Sequence, residues 1–166
     1  MKDNNIHSVV DAGCGDWEST QTLDWTGIDY KGYDIVESVI AADTAKYAKP
    51  NIQFFAANII DTDLPPADLL IVKHVLQHLP TADVQKFLTQ IPKYKHVLVM
   101  NTVTPGSLSA RNVDITNAEV VAGGYRNLDL TQPPFGLPGV KELTYWSAGT
   151  MHQVLHISTV PANVPK

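Results

Sequence analysis

The sequence predicts an α/β fold, in which a doubly wound, mostly parallel sheet carries helices on both faces. Two observations lead to this prediction. Short apolar runs alternate with helical patterns through the first hundred residues, and the runs are apolar at consecutive positions, as expected for strands buried on both faces. The chain has 166 residues, 44% hydrophobic and 17% charged, which suits one globular domain spanning residues 1–166.

Five strands are predicted in the first hundred residues, at residues 8–10, 33–36, 52–56, 69–72 and 97–100. Helices are predicted between them at residues 17–23, 37–48 and 81–91. The last helix begins with Thr81 as its N-cap and places Val84, Phe87, Leu88 and Ile91 on one stripe. Because right-handed crossovers between parallel strands place helices on each face of a sheet, we expect three layers.

The end of the chain predicts a hairpin. Two strands, at residues 141–147 and 153–159, flank Ala148-Gly149-Thr150, a sequence typical of a tight turn. A hairpin that joins a parallel sheet makes the last strand antiparallel. We therefore expect seven strands in the order 3-2-1-4-5-7-6, numbered along the chain.

The stretch between the fifth strand and this hairpin predicts an insertion. Residues 104–139 are rich in Gly, Pro, Asn and Thr, and the stretch is too long for a simple connection. Long loops beside a rigid scaffold often carry function. We expect this insertion to form a substrate lid over the carboxyl ends of the strands.

The composition of the chain excludes several kinds of partner. Twelve Lys and Arg residues against seventeen Asp and Glu give a formal charge of −5, and only Arg111 and Arg126 carry guanidinium groups. A surface that follows the phosphates of duplex nucleic acid is therefore not expected. The single cysteine, Cys14, excludes an internal disulfide and a cysteine-based zinc site, and it fits a reducing compartment.

The sequence predicts no membrane association. Residues 1–5 are polar and acidic, unlike the start of a secretory signal. The longest apolar run, residues 69–72, is bounded by Asp68 and Lys73 and is far shorter than the roughly 20 residues of a membrane helix. We expect a soluble, cytoplasmic protein.

A glycine turn after the first strand is the strongest functional signal. Asp11, Gly13 and Gly15 alternate along it, and the two glycines let the backbone approach a ligand at the carboxyl end of the strand. A dinucleotide fingerprint needs a third glycine, but Asp16 and Trp17 follow here, and the carboxylate would repel phosphate. The turn therefore favours a ligand without phosphates. Trp17 lies either in the core or in the pocket wall.

Polar side chains lie on the second predicted strand and directly after the third. Asp34, with Ile35 beside it, can hold ribose hydroxyls, and the alternative is that it caps the following helix. Asn58 can contact an adenine edge while Ile59 packs on the adenine face. The alternative for Asn58 is a turn residue.

The fourth strand delivers Lys73 and His74 to the same edge of the sheet. His74 directly follows the strand and is the better candidate for chemistry. His78 lies four residues later, but no third metal ligand is suitably spaced, so we expect no metal and a packed or hydrogen-bonded His78. Arg126, in the insertion, either anchors a carboxylate or phosphate of a substrate or folds the loop through a salt bridge.

The ordered set of motifs resembles the class I S-adenosylmethionine-dependent methyltransferases, in which a D-x-G-x-G turn, a second-strand acid and a third-strand acid or amide bind the cofactor. More narrowly, it resembles an uncharacterised branch with RDxLxHL after the fourth strand, then NxDI, then GG(Y/W)RPLNLxxPPFxxP. The matching segments here are residues 73–79 (KHVLQHL), 112–115 (NVDI) and 123–138 (GGYRNLDLTQPPFGLP). The resemblance covers nearly the whole chain and implies a Rossmann-like fold.

The resemblance implies an enzyme that uses S-adenosyl-L-methionine, releases S-adenosyl-L-homocysteine and methylates a small-molecule or sugar acceptor. The cofactor residues it implies run from the methionine end to the adenine end, namely Asp11, Gly13, Gly15, Trp17, Lys73, Asp34, Ile35, Asn58 and Ile59. His74, and secondarily Tyr125 or His78, is the candidate base. The acceptor contacts it implies are His74, His78, Tyr125 and Arg126.

Two departures from the branch keep a second function open. Lys73-His74 stands where the branch has Arg-Asp, and the first strand begins within ten residues of Met1, so a helix that often precedes it is not expected. The alternative function is a non-catalytic module that has the same fold and binds S-adenosylmethionine.

Overall fold

The computed structural model describes residues 4–103, 112–115, 123–147 and 149–159. The strands within these residues are β1 (Ser8–Ala12), β2 (Asp29–Asp34), β3 (Ile52–Ala56), β4 (Ala67–Lys73), β5 (Tyr94–Val103), β6 (Val140–Ser147) and β7 (Thr150–Ser158). The α-helices are α1 (Glu37–Tyr47) and α2 (Thr81–Leu88). Short 3-10 helices cover Thr20–Thr22, Leu76–His78 and Ile91–Lys93.

The strands form one mixed sheet in the order β3-β2-β1-β4-β5-β7-β6, which confirms the predicted order. The pairs from β3 through β5 are parallel, whereas β7 is antiparallel to both β5 and β6. The predicted hairpin is therefore confirmed as the end of the sheet. Since β1, β2, β3, β4 and β5 are parallel, their carboxyl ends meet at one edge.

Two apolar cores lie on opposite faces of the sheet. Successive residues of a strand point to opposite faces, and Val10 belongs to one core while Val9 belongs to the other. Helix α2 covers the first core with Val84 and Phe87. Helix α1 covers the second core with Ile40 and Tyr47. This arrangement gives the three layers that the alternating pattern predicts.

Strand β6 forms one edge of the sheet and is mostly exposed. Val140 and Leu143 are more than half exposed, and the register of β6 against β7 shifts between Lys141 and Leu143, which marks an irregularity of the β-bulge type.

The structure corrects three details of the sequence-based elements. The helix predicted at residues 17–23 is only a 3-10 turn at Thr20–Thr22. Strand β2 begins four residues earlier than predicted, at Asp29. The third correction concerns Thr81, which is the first residue of α2 and not its N-cap, because Pro80 holds the cap position without a side-chain hydrogen bond.

The N-terminus of α2 is capped from a distant part of the chain. The Thr81 backbone N–H donates to Asp114 Oδ1 at 2.7 Å, so a carboxylate 33 residues away satisfies one of the free donors of the first turn. The negative charge of Asp114 also suits the positive end of the helix dipole.

The predicted insertion is described only at residues 112–115 and 123–139, and its other residues lie outside the described part of the chain. Leu128 and Leu130 are buried in the α2 core. Asn112 Oδ1 accepts from the Asp129 backbone N–H at 2.9 Å, and the Leu128 N–H donates to the Thr102 carbonyl of β5 at the same distance. These residues belong to the fixed core, while a lid built by the rest of the insertion stays a prediction.

Among the described residues, no helix combines the length and apolar character needed to cross a membrane.

Candidate functional site

The glycine turn brings bare backbone to the carboxyl end of β1. Gly13 and Gly15 have φ angles of 89° and 58°, in the region that side chains disfavour. The N–H groups of Gly13 and Cys14 donate to the Tyr33 carbonyl at 2.7 and 3.0 Å, which fixes the turn against β2. A Cβ at Gly13 would overlap with Val75 Cγ2, so only glycine fits the turn in this position.

Two cavities meet at Gly13. The first, of about 260 Å³, is here named the β1–β4 cavity and is lined by Asp11, Gly13, Cys14, Ser19, Thr20, Leu23, Ile71 and Lys73. The second, of about 130 Å³, is named the β2–β3 cavity and is lined by Gly13, Asp34, Ile35, Ala57, Asn58, Ile59, Ile60, Val75 and Leu79. Together they form a cleft along the carboxyl ends of four neighbouring strands.

A buried carboxylate lies at the base of the β1–β4 cavity. Asp11 is 4% exposed, and its Oδ2 accepts a hydrogen bond of 2.8 Å from the Tyr30 hydroxyl. Burial raises the pKa of Asp11 to about 6, and the charge of Asp34 adds to this rise. The Tyr30 hydrogen bond and the charge of Lys73 oppose it. Above pH 6 the cavity therefore holds a negative charge that a cationic ligand group would stabilise.

Lys73 supplies the positive charge of the same cavity. It ends β4, and its Nζ donates to Ser19 Oγ at 3.4 Å. The β1–β4 cavity thus presents one carboxylate, one ammonium and two hydroxyls, those of Ser19 and Thr20. A zwitterionic ligand group matches this set.

Asp34 braces the glycine turn. Its Oδ2 accepts from the Gly15 N–H at 3.1 Å, and its Oδ1 accepts from the Val36 N–H at 3.0 Å. It therefore makes a local turn before α1, although Val36 and not Asp34 is the N-cap residue. Ile35, beside it, is 67% exposed and lines the β2–β3 cavity.

Asn58 shapes the far end of the β2–β3 cavity. Its Oδ1 accepts from the Ile60 N–H at 3.0 Å, and its Nδ2 donates to Asp61 at 2.8 Å. Asn58 is thus a turn residue, as the alternative from the sequence had it, and it also lines the cavity. Ile59 is buried and adds an apolar wall.

Trp17 is not among the residues that line these two cavities, so its implied contact with the cofactor stays a prediction. It is 3% exposed, and its ring packs against those of Trp25, Tyr30, Tyr47 and Phe54 at centroid distances of 5.3 to 6.0 Å. The ring belongs to the core on the α1 face of the sheet, and together with Trp25 and Tyr47 it lines a different cavity.

His74 directly follows β4, and its chain neighbours Lys73 and Val75 line the β1–β4 cavity and the β2–β3 cavity, respectively. Its φ is 57°, an unfavourable angle for a non-glycine residue, and its N–H donates to the Met100 carbonyl of β5 at 2.9 Å. Burial lowers the pKa of His74, and a 3.5 Å contact with Gln77 Oε1 opposes this effect. The imidazole is therefore neutral and able to accept a proton near pH 7.

Two residues that the sequence did not single out, His152 and Gln77, contact His74, and Tyr145 contacts His152. The His152 ring meets the His74 ring edge-on at a centroid distance of 4.8 Å, and the Tyr145 ring lies 5.1 Å from His152. Gln77 is buried, and its Oε1 accepts from the Thr102 N–H at 2.7 Å, which fixes the side chain beside His74. No local spacing links β7 to the end of β4, so His152 could not be identified from the sequence pattern.

His78 and Tyr125 lie together on the other side of Gln77. His78 Nδ1 lies 2.9 Å from the Gly124 carbonyl, a hydrogen bond that holds the start of the 123–139 segment, and the His78 and Tyr125 rings are 6.0 Å apart. Tyr125 is 52% exposed. In the described part of the chain, no group of three or more His, Cys, Asp or Glu side chains is arranged to hold a metal ion.

The Arg126 side chain is directed into the protein, as the loop-folding alternative from the sequence had it, and its contact with an acceptor stays a prediction. It is 6% exposed, and its guanidinium donates to the Leu79 carbonyl at 2.9 Å, to Thr81 Oγ1 at 2.9 Å and to the Val113 carbonyl at 3.1 Å. Asp114 Oδ1 lies 3.5 Å away. With these donors directed into the protein, Arg126 joins the insertion to the N-terminus of α2.

Comparison with known proteins places this cleft in a family context. The family model described as "Methyltransferase domain" matches residues 10–94, slightly more than half of the chain, and this range includes the glycine turn, Asp34, Asn58 and His74. No curated protein matches the chain significantly.

Solved structures share the fold at low sequence identity. Magnesium protoporphyrin IX methyltransferase from Synechocystis PCC 6803, solved with bound S-adenosylhomocysteine, has a TM-score of 0.64 and 17% identity over 93% of this chain and 75% of its own. N-methyltransferase NodS from Bradyrhizobium japonicum WM9 has a TM-score of 0.63 and 16% identity over 91% and 78%. Human N-acetylserotonin methyltransferase has a TM-score of 0.64 and 15% identity over 95% and 49%, so this chain spans about half of its length.

Proposed function

This chain belongs to the family of methyltransferase domains, and from this premise we propose that it transfers the methyl group of S-adenosyl-L-methionine to a small-molecule or sugar acceptor. The observation that carries the proposal is the cleft at Gly13, where two cavities of different character meet at the carboxyl ends of β1, β2, β3 and β4. A ligand with a polar, charged half and a flat, apolar half suits such a cleft.

The residues of the cleft fit this cofactor. Gly13 presents backbone without a side chain to both cavities, and the buried Asp11 carboxylate has no cation directly paired with it among the contacts of the described residues. In the β1–β4 cavity, Asp11 would hold the ammonium group of the methionine half, and Lys73 would hold its carboxylate. In the β2–β3 cavity, Asp34 and Ile35 would hold the ribose, and Asn58 with Ile59 would hold the adenine.

When bound, the cofactor supplies an electrophilic methyl group, and its sulfur keeps the electron pair of the broken carbon–sulfur bond, which gives S-adenosyl-L-homocysteine. The acceptor oxygen or nitrogen forms the new bond to carbon. His74 accepts the proton that the acceptor loses, because it directly follows β4 at the edge of the sheet where the cleft lies and burial lowers its pKa, which keeps the imidazole neutral. Tyr125 is the secondary candidate for this role.

Positioning supplies much of the rate of such a transfer. Holding two reactants in a productive arrangement can be worth up to ~7 to 11 kcal/mol, and a general base contributes less. The fixed glycine turn and the αL backbone of His74 serve this purpose, since both are held by hydrogen bonds to neighbouring strands.

The test pairs cofactor binding with turnover. Calorimetry measures S-adenosylmethionine binding, and formation of S-adenosylhomocysteine is followed over a panel of alcohols, amines and sugars. We expect micromolar binding and turnover on at least one acceptor. His74→Asn should keep cofactor affinity and lower turnover by about 100-fold. In the wild type, turnover should fall as acid protonates His74, at a pH below 6.5 because its pKa is lowered.

Two results would oppose the proposal. If S-adenosylmethionine does not bind, the assignment of the cleft as a site for this cofactor is wrong. Binding without turnover on any acceptor would favour the alternative, a non-catalytic S-adenosylmethionine-binding module, for which the replacement of Arg-Asp by Lys73-His74 is the supporting observation.

A further inference from the structure

A separate pocket lies at the end of β5, against the turn that joins β6 and β7. It has a volume of about 180 Å³ and is named here the hairpin pocket. It is lined by Thr102, Val103, Tyr125, Asn127, Trp146, Gly149, Thr150 and Met151. Val103 is the last residue of β5, and β5 runs parallel to β4, so the pocket opens at the same edge of the sheet as the cleft.

Two exposed aromatic side chains flank the hairpin pocket. Trp146 is 64% exposed and Tyr125 is 52% exposed. Large rings left in water at the mouth of a pocket are typical of binding sites. The other two tryptophans, Trp17 and Trp25, are buried, which makes Trp146 different from both.

Three of the six other lining residues are polar, and none of the six is charged. Thr102, Thr150 and Asn127 provide hydroxyl and amide groups, and no charged side chain is among the eight lining residues. A ligand that carried a charge into this pocket would lose water without gaining a partner of opposite sign. The pocket therefore suits a neutral molecule that has an apolar face and several hydroxyl groups.

The hairpin pocket is connected to the candidate base through His152. Thr150 Oγ1 lies 3.0 Å from His152 Nε2, and Thr102 is the register partner of His152 across β5 and β7. The His152 ring in turn contacts that of His74 at 4.8 Å. His152 Nδ1 is buried and has no hydrogen-bond partner among the described residues. A short path of side chains thus leads from the pocket to His74.

We propose that the hairpin pocket binds the acceptor, and that the acceptor is a neutral sugar whose ring packs on Trp146 while its hydroxyls contact Asn127 and Thr150. This inference rests on the proposed function and adds no chemical step to it. A pyranose has an apolar face of C–H groups and a rim of hydroxyls, which matches the aromatic wall and the polar lining. A flat aromatic acceptor would offer few hydroxyl groups to the Asn127 amide.

The binding test does not require catalysis. Acrylamide quenching of tryptophan fluorescence reports on Trp146, since the other two tryptophans are buried. A panel of neutral methyl glycosides and short oligosaccharides is compared with the corresponding sugar phosphates, with uronic acids and with simple phenols. We expect at least one neutral glycoside to protect Trp146 from acrylamide, and the charged sugars to protect it less.

Two variants test whether glycosides bind in the hairpin pocket or elsewhere on the protein surface. Trp146→Ala should lower glycoside affinity, measured by calorimetry, by at least about tenfold. Leu143→Ala is the control, because Leu143 is a similarly exposed residue of the same strand outside the pocket. The control should bind glycosides as the wild type does, and both variants should keep their S-adenosylmethionine affinity.

The inference and the proposed function can fail separately. Protection of Trp146 by phenols alone, by charged sugars in preference to neutral ones, or by no compound of the panel would overturn the sugar assignment, even if S-adenosylmethionine binds. Equal loss of glycoside binding in Trp146→Ala and Leu143→Ala would overturn the assignment of the glycoside to the hairpin pocket. Loss of S-adenosylmethionine binding in the wild type would instead contradict the proposed function.

Discussion

The Tyr30 hydroxyl donates a 2.8 Å hydrogen bond to Asp11 Oδ2 directly beneath the glycine turn. This contact holds the carboxylate in a buried position where its charge is unfavourable in the absence of a ligand, as its raised pKa of about 6 shows. The fold therefore carries a cost at Asp11 that a bound cation would offset.

Replacing this carboxylate should stabilise the fold and weaken cofactor binding. A pKa raised from 3.8 to about 6 corresponds to roughly 2 to 3 kcal/mol of destabilisation above pH 6. Asp11→Asn removes the charge and keeps an oxygen for the Tyr30 hydroxyl. We expect a higher melting temperature at pH 8, and S-adenosylmethionine affinity reduced at least about tenfold.

The stability difference between Asp11→Asn and the wild type should depend on pH. Because the folded-state pKa is the higher one, the stability contributed by protonation is fully present below about 3.8 and is lost as the pH rises through 6. The advantage of Asp11→Asn over the wild type should therefore shrink as the pH falls below 6 and be nearly gone at pH 4. An advantage that is the same at pH 8 and pH 4 would contradict this account.

Gly13→Ala should damage the fold and the cleft together. The new Cβ is strained by the positive φ and also overlaps with Val75. Gly27→Ala is the matched control, because Gly27 has a φ of 73° and no heavy atom lies within 4 Å of the position that a Cβ would take there. We expect Gly27→Ala to cost roughly 1 to 2 kcal/mol in urea denaturation without changing cofactor affinity. Gly13→Ala should lower the free energy of unfolding by more than this and should also reduce cofactor affinity. Equal effects of the two variants would show that the overlap with Val75 does not contribute.

Arg126→Met should act on stability and not on acceptor recognition. It leaves the Leu79 and Val113 carbonyls without their donor, which should cost about 2 to 4 kcal/mol in urea denaturation. Lys86→Met, which breaks the exposed pair with Asp61, should cost less than about 1 kcal/mol. If Arg126→Met instead leaves stability unchanged and raises the KM for an acceptor, Arg126 is a substrate anchor after all.

Asp68 should stabilise the start of the sheet in a way that acid removes. Burial alone would raise its pKa, but hydrogen bonds from Lys95, from the His7 N–H and from Ser8 lower it to about 2. The stabilisation is thus present above pH 4 and is lost as the pH falls through 2. At pH 7, Asp68→Asn should cost roughly 2 kcal/mol in thermal denaturation, whereas Asp29→Asn, which removes an exposed pair with Lys31, should cost much less. An equal loss from both variants would count against this role.

The parts of the fold that local pattern encodes could be predicted from the sequence. The apolar runs of β1 and β4 and Gly149 of the hairpin identify the strands and the last turn, because each is a property of adjacent residues. The start of β2 could not be predicted, since Asp29 and Lys31 alternate with Tyr30 and resemble a polar loop. Their charges stay half-exposed at the sheet and pair with each other.

The residues of the site also divide into those that local pattern predicts and those that it does not. Asp11, Gly13, Asp34 and Asn58 follow strands and therefore meet at one edge, as the sequence predicted. Arg126 and His152 depend on partners that lie 47 and 78 residues away in the chain, at Leu79 and His74. No local spacing contains such contacts, so the role of Arg126 and the presence of His152 became clear only in three dimensions.

The irregular register of β6 has a bearing on how this protein behaves at high concentration. An edge strand with unpaired backbone groups is a template for pairing with another molecule, and the exposed Val140 and Leu143 would favour that association. The shift between Lys141 and Leu143, together with the charges of Lys141 and Glu142, interrupts the regular edge that such pairing needs. Deleting Glu142 would straighten this edge, and the protein would then be expected to aggregate during concentration or storage.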